Sequence, residues 1–214
     1  MRVQRQYTIS VPIPPYVPPS LVVAHLQTID PVIRHLGTLS RYEPAQHRLP
    51  DIRDDPFFLA NGPDISAFQI YELITLAPGL TKEVTYPAFF QPSHAGVRCR
   101  ANGAAGITGW ADYNVQQSQQ RASSASASAS PLDGSAAAMS TPSPGAVAEA
   151  WDYEIHETLL VEANSLLMPF VARTMEESHR DLLRKIIDEA AQAYAMGNDG
   201  TSTTTTTPQD KMQE

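Results

Sequence analysis

The chain has little of several features that define common classes of protein. It has a single cysteine, Cys99, among 214 residues, so no disulfide can form within it, which favours a reducing compartment. It has no apolar run of about 18 residues, the length that a transmembrane helix needs. Arg2 and Arg5 are not followed by the apolar stretch of a secretory signal peptide. We therefore expect a cytoplasmic protein.

Basic residues are also scarce, since 15 lysines and arginines face 23 acidic residues and the formal net charge is −8. A nucleic-acid partner is not expected, because binding the phosphate backbone requires a basic face. The chain contains no phosphate-binding glycine loop followed by a helix and no G-x-S-x-G motif of a hydrolase. Its six histidines are scattered without metal-ligand spacing, so we predict no metal and no cofactor.

The best organised stretch is a predicted strand over residues 151–161. Polar and apolar residues alternate there with a period of two, which is typical of a strand with one buried face. The apolar face carries Trp151, Tyr153, Ile155, Leu159 and Val161. Glu157 interrupts the pattern, because it is a carboxylate on this apolar face.

A long amphipathic helix is predicted to follow the strand. Residues 163–165 offer N-cap side chains, Pro169 lies near the start, and Gly197 with Asn198 provides a stop. One stripe of this helix is formed by Met168, Val171, Ala172, Met175, His179, Leu182, Leu183, Ile186, Ala190 and Ala193. A helix of roughly 45 Å, at about 1.5 Å per residue, needs a broad apolar surface to cover.

The part of the chain before this strand is predicted to form the rest of the sheet that the helix covers. A strand is predicted over residues 6–11, and two short helices over 21–28 and 30–37, with His25 and His35 on their solvated sides. Ser20 and Asp30 are the expected N-caps of these helices. Residues 41–63 read as a loop with at most an edge strand. Four strands separated by turns then predict an antiparallel meander, over residues 66–76, 81–91, 97–101 and 107–115.

Two segments have the composition of chain that does not pack. Residues 116–146 are rich in serine and alanine, and residues 198–214 contain a run of threonines. Such segments bury too little apolar surface to offset the entropy of ordering them. We predict a disordered insertion between two strands and a disordered tail.

This order of elements resembles that of the START-like (SRPBCC) superfamily and, within it, a fungal family of domains of unknown function. The resemblance is carried by residues 29–33, 68–74, 78–79 with 84–86, and 166–171 through 177–183. It implies an α+β helix-grip fold, in which a curved antiparallel sheet wraps a long C-terminal helix and two short helices lie near the N-terminus. It also implies one such domain over residues 6–197, with a cavity between sheet and helix.

Members of the superfamily mostly bind hydrophobic small molecules or lipids, and a minority catalyse ring closure or dehydration. The resemblance therefore implies a binding module for a hydrophobic small molecule or lipid. The alternative is a polyketide cyclase-like accessory enzyme of fungal secondary metabolism, acting as a cyclase, dehydratase or isomerase. A third reading is a scaffold whose cavity is filled by its own side chains. The residues expected to line the cavity are Trp151, Tyr153, Ile155, Met168, Val171, Met175 and Leu182.

Three residues are candidates for acid–base chemistry in that cavity. Glu157 would have its pKa raised if it faces the helix, although a bulge would turn it outward. Glu72 shares strand parity with Phe68 and Ile70, and a salt bridge to Arg98 or Arg100 is the structural alternative. His179 is a proton donor if it faces the cavity, or a core histidine bonded to a backbone carbonyl.

Overall fold

The structure is a computed structural model that describes residues 1–52, 54–77, 79–118 and 152–199. Most of the predicted insertion and the tail from residue 200 lie outside the described residues, as does Trp151.

The described chain forms seven strands and three α-helices. The elements are β1 (Arg2–Pro12), α1 (Pro19–Gln27), α2 (Asp30–Arg34), β2 (Leu39–Pro44), a 3-10 helix (Gln46–Ile52), β3 (Ser66–Ala77), β4 (Leu80–Ser93), β5 (Gly96–Asn102), a 3-10 turn (Ala104–Gly106), β6 (Thr108–Gln117), β7 (Tyr153–Asn164) and α3 (Met168–Asp199). The predicted meander is confirmed, because β3 to β6 follow one another through short turns.

All seven strands form one antiparallel sheet in the order β1-β7-β6-β5-β4-β3-β2. The first strand of the chain, β1, pairs with the last, β7, so that Ile9 lies opposite Glu157. On the other side of β7, Glu157 pairs with Tyr113 of β6. Side chains paired in this way point to the same face of a sheet. We call the face that carries these three residues, and that α3 covers, the inner face. The predicted α+β helix-grip architecture is confirmed.

The main core lies between the inner face and one end of the helical layer. Leu183, at the middle of α3, and Ile186 and Ala190 in its second half are all 0% exposed. They pack with α1 and α2, whose Leu26 and Ile33 are equally buried. The first half of α3 is different, since Val171 and Met175 are only partly buried. Apolar burial therefore anchors α3 mainly through its second half.

The junction between β7 and α3 is built from the residues that were predicted to cap the helix. β7 continues to Asn164, whose side-chain Oδ1 accepts a hydrogen bond from the backbone N–H of Leu166 at 3.0 Å. The chain turns there and α3 begins at Met168, with Pro169 in its first turn. At the other end the helix includes the predicted stop at Gly197 and Asn198 and ends at Asp199.

Several local predictions were wrong. Pro18, not Ser20, occupies the N-cap of α1, and Ile29, not Asp30, occupies that of α2. Ile29 has a φ of 70°, a conformation that β-branched residues rarely adopt, and its burial to 7% exposure offsets that strain. β6 includes Gln116 and Gln117, which were assigned to the insertion, because they pair with Glu154 and Tyr153.

His25 and His35 are not solvated as predicted, because both face Glu189 of α3. His35 Nε2 lies 2.6 Å from the Glu189 carboxylate and His25 Nε2 lies 3.6 Å from it, while Arg34 also pairs with it. Burial raises the pKa of Glu189, but the hydrogen bonds from His35 and Arg34 outweigh burial and lower it below its usual value. This cluster fastens the short helices to α3.

The predicted loop after β2 forms a second, smaller core on the opposite face of the sheet, which we call the outer face. The 3-10 helix and the residues that follow it bring Ile52 and Phe58 onto Ala67 and Phe89 of the sheet. The strand predicted as a possible edge is present as β2, at the end of the sheet. Both faces of the sheet are therefore partly covered.

We predict that the two halves of α3 contribute unequally to stability. Ile186→Ala should lower the free energy of unfolding by about 2–5 kcal/mol, because it leaves a cavity in a fully buried core. Met175→Ala should cost about 1 kcal/mol, because Met175 loses less surface to burial. Urea denaturation of both variants measures the difference. Equal losses would contradict the proposed anchoring through the second half.

Candidate functional site

The centre of the inner face carries a fully buried carboxylate, Glu157. It lies in the middle of β7 and is 0% exposed, between its cross-strand neighbours Ile9 and Tyr113. The alternation of β7 is regular through this position, so no bulge turns the side chain outward. A buried carboxylate carries a large desolvation cost unless it has partners, which makes its surroundings informative.

The partner of Glu157 is His179 of α3. Nδ1 of His179 donates to Oε1 of Glu157 over 2.6 Å. In the structure His179 therefore bonds to a carboxylate, and not to a backbone carbonyl as the alternative prediction had it. The His179 side chain is 17% exposed, while Glu157 has no exposed surface. The pair therefore connects the sheet to the part of α3 that has the weaker apolar packing.

One oxygen of this carboxylate is left without a partner. Glu157 Oε2 is buried and accepts no hydrogen bond among the described residues. The hydroxyl of Tyr7, on neighbouring β1, is likewise buried without a partner. Because native proteins rarely leave buried polar atoms unsatisfied, such atoms commonly mark the place of a bound polar group.

A phenol and a thiol lie on the inner face beside Glu157. Tyr113 is 3% exposed, and burial, followed by the neighbouring Glu157 carboxylate, raises its pKa well above the usual range. The close approach of β5 to β6 around Tyr113 depends on Gly96, since a Cβ there would lie 2.0 Å from the Tyr113 carbonyl oxygen. Burial and the Glu157 charge also raise the pKa of Cys99, on the next strand. Both groups therefore remain protonated at neutral pH.

Glu72 also lies on the inner face, but on β3, which three strands separate from β7. Burial and then the nearby Glu72 carboxylate raise the pKa of Tyr86. The predicted salt bridge from Glu72 to Arg98 or Arg100 was wrong, because β5 directs these arginines to the outer face. There Arg98 lies 3.3 Å from Asp112, and Arg100 pairs with Asp55. The inner face therefore carries a row of titratable side chains, which runs from Glu157 on β7 through Tyr113, Cys99 and Tyr86 to Glu72 on β3.

The residues predicted to line a cavity differ in how deeply they are buried. Ile155, Met168 and Leu182 are buried in the core, whereas Tyr153, Val171 and Met175 keep some exposed surface. Trp151 lies outside the described residues. Their role as ligand contacts stays a prediction.

The open part of the inner face lies under the first half of α3. Cys99 is deep enough for burial to raise its pKa, yet it retains solvent-accessible surface. Tyr86 combines the same two properties. Both conditions are met when a side chain lies at a partly open inner surface. We define the inner cleft by Tyr86, Cys99 and Ala101 of the sheet and Val171, Met175 and His179 of α3, all partly buried and facing inward.

The inner cleft does not extend along the whole sheet. At the end covered by α1, the space is filled by the main core. Two cavities, of about 650 and 660 Å³, lie outside this face, one on the outer face and one beside the 3-10 helix.

Tyr113, Cys99 and Tyr86 were not recognised as site residues from the sequence. Each occupies an inward position in the predicted meander, so parity could have identified them once the phase of β4, β5 and β6 against β7 was known. That phase depends on how segments distant in the sequence pair with one another, and the local pattern of residues does not give this pairing.

The described residues contain no group of three histidine, cysteine or acidic side chains arranged to hold a metal ion. Within the same residues, no helix has the length and apolar character to cross a membrane.

The fold is similar to that of a solved structure of low sequence identity. The di-domain ARO/CYC StfQ from the steffimycin biosynthetic pathway is 9% identical, with a TM-score of 0.51, over 90% of this chain and 52% of that one. This chain thus spans about half the length of StfQ. The Zhui aromatase/cyclase from Streptomyces sp. R1128 is 10% identical over 91% of this chain and 96% of that one, with a TM-score of 0.44. TTHA0849 from Thermus thermophilus is 11% identical over 90% and 99%, with a TM-score of 0.42.

These structural similarities describe the fold alone. No curated protein matches the chain. A family model does match, over residues 2–192, and its description is Domain of unknown function (DUF7053). With nearly the whole folded part of the sequence inside that match, the chain belongs to the DUF7053 family.

Proposed function

We propose that the chain binds a hydrophobic small molecule in the inner cleft, with Glu157 and His179 as its polar anchor. The observation that carries this proposal is Cys99, which is deep enough for a raised pKa and still accessible to solvent. Partial exposure of Cys99 on the inner face, beside the unpartnered Glu157 Oε2, is what the proposed cleft requires.

The chemistry of the walls supports an apolar ligand with one polar group. Val171, Met175 and Ala101 offer apolar contacts, and burial of apolar ligand surface contributes about 25 cal/mol per Å². The unpartnered Glu157 Oε2 is an acceptor beside this space, and one or two such groups are enough to orient a ligand. The ligand class that fits is an apolar molecule bearing a hydroxyl or amide donor.

A second candidate function is proton transfer by the same residues, in a cyclase, dehydratase or isomerase. It is favoured by the contact between Glu157 and His179, in which an imidazole orients a buried carboxylate over 2.6 Å. The free oxygen of that carboxylate would then act as a general base on a substrate in the inner cleft. This function needs the binding site of the first proposal and adds a chemical step to it.

We expect the neutral apolar probe N-phenylnaphthylamine to bind the protein saturably, with an increase in fluorescence. Ala101→Phe should weaken its binding at least about tenfold, because the larger side chain fills the inner cleft. Leu73→Phe is the matched control, since Leu73 lies 47% exposed on the outer face. Equal affinity in both variants would contradict binding in the inner cleft. Native mass spectrometry of gently purified protein would then seek the natural ligand.

Cys99 provides an independent test, because it is the only thiol of the chain. At about pH 8, iodoacetamide should alkylate the folded protein at least about tenfold more slowly than the urea-unfolded chain, since burial keeps the thiol protonated and the thiolate is the nucleophile. Saturating N-phenylnaphthylamine should slow the reaction further. A probe that binds without protecting Cys99 would have to occupy another site.

The proton-transfer function is tested with nitrobenzisoxazole, a neutral aromatic substrate. A general base removes its ring C–H proton, the N–O bond breaks, and a coloured cyanophenolate forms. If Glu157 acts as that base, Glu157→Gln should lower the rate at least about a hundredfold while probe affinity is retained. His179→Gln should lower the rate less, because it removes only the group that orients the base. A rate that Glu157→Gln leaves unchanged would remove the catalytic candidate and leave the binding proposal intact.

A further inference from the structure

Gly109 of β6 is a glycine that neither the backbone conformation nor the pairing of the strand requires. A glycine weakens a strand, because it has no side chain to pack. Its φ is not positive, since the described glycines with positive φ are Gly79 and Gly106. Its pairing is continuous, with Ala101 of β5 on one side and Val161 of β7 on the other, so no bulge is present.

No neighbouring backbone requires this glycine either. At Gly96 an added Cβ would lie 2.0 Å from a carbonyl oxygen, so that glycine permits two strands to approach closely. At Gly109 an added Cβ would meet no atom of the described residues within 4 Å. The remaining common reason for a glycine within a strand is the close approach of a ligand.

Gly109 lies on the inner face, next to the inner cleft. Its partner Ala101 is one of the residues that define the inner cleft, and its other partner, Val161, is 1% exposed. The face is therefore covered at β7 and open at the adjacent position of β6. Cys99, the next inward residue of β5 after Ala101, keeps accessible surface as well. Small residues thus form a floor that begins at Gly109, and we call it the cleft floor.

The polar anchor of the proposed function lies farther along the same strands. Glu157 pairs with Tyr113, which is four residues beyond Gly109 on β6. At about 3.3 Å per residue, the two positions are about 13 Å apart. Tyr113 and its partner Val97 are larger than the residues of the cleft floor and are buried in the main core. The cleft floor is therefore open at Gly109 and closed beside the anchor.

We propose that Gly109 sets the length of the ligand, which is an elongated apolar molecule with a hydroxyl or amide group at one end. This inference rests on the proposed binding in the inner cleft and adds a size to it. The polar end bonds to the anchor formed by Glu157 and His179, and the apolar body extends about 13 Å along the cleft floor. A side chain at position 109 would occupy the space that the far end of the ligand takes.

The test uses straight-chain primary alcohols, from hexanol to tetradecanol, as competitors of N-phenylnaphthylamine. Affinity should rise about fourfold with each added methylene while the chain lies on the cleft floor. It should level off near about ten carbons, because an extended chain of that size is about 13 Å long. Further carbons would extend past Gly109 into water.

Variants at Gly109 locate this limit. Gly109→Leu should weaken decanol binding at least about tenfold, because the last carbons lose their place on the cleft floor, and should leave hexanol binding nearly unchanged. Gly109→Ala should weaken decanol binding about fourfold, which keeps the test decisive if leucine disturbs the sheet. Gly37→Leu is the matched control, since a Cβ there also meets no described atom within 4 Å, but in the exposed turn between α2 and β2.

The outcomes separate this proposal from the one on which it rests. Equal losses for hexanol and decanol, or decanol binding that neither Gly109 variant weakens, would overturn the role of Gly109 and leave binding in the inner cleft intact. Failure of the wild-type protein to bind N-phenylnaphthylamine would remove the proposed function and the length limit together.

Discussion

The contact between Glu157 and His179 is the interaction on which the inner face depends. A carboxylate without exposed surface loses its hydration, and the cost is several kcal/mol unless the protein supplies partners. Its ionic partner, His179, comes from α3, and Tyr113 of the neighbouring strand adds a hydrogen-bonding phenol. The first half of α3 is therefore tied to the sheet by a polar contact, at the place where its apolar packing is weakest. Separation of the helix from the sheet would remove the histidine partner of the carboxylate.

This arrangement separates the stabilising part of the fold from its open part. The second half of α3 fills the space over the sheet together with α1 and α2, and Ile186 and Ala190 there have no exposed surface. The first half leaves Tyr86 and Cys99 accessible beneath it. Binding surfaces commonly lie in the less tightly packed part of a structure, which is where we propose the inner cleft.

The sequence predicted those features that depend on local periodicity. Alternation along β7 placed Glu157 on the apolar face unless a bulge turned it outward, and the period of α3 placed His179 on its apolar stripe, so both members of the central pair were candidates before their contact was known. The contact itself could not be predicted, because it depends on how two elements meet in space. The error with Arg98 and Arg100 has the same origin. Glu72 and these arginines lie on opposite faces, which only the pairing of β3, β4 and β5 decides.

The alternation of side chains along each strand determines which residues lie on the inner face and, equally, which lie on the outer face. Each strand that directs a residue such as Tyr113 inward directs its neighbour, Asp112, outward. A sheet with one solvated face would simply expose these outward residues to water. Here the segment after β2 lies over part of the outer face, so that Phe57 and Asp55 meet Trp110 and Arg100 across a groove. Because a single layer of backbone lies between the groove and the inner cleft, side chains on one side can change without direct contact with the other. The two faces are therefore chemically separate, although the same strands build both.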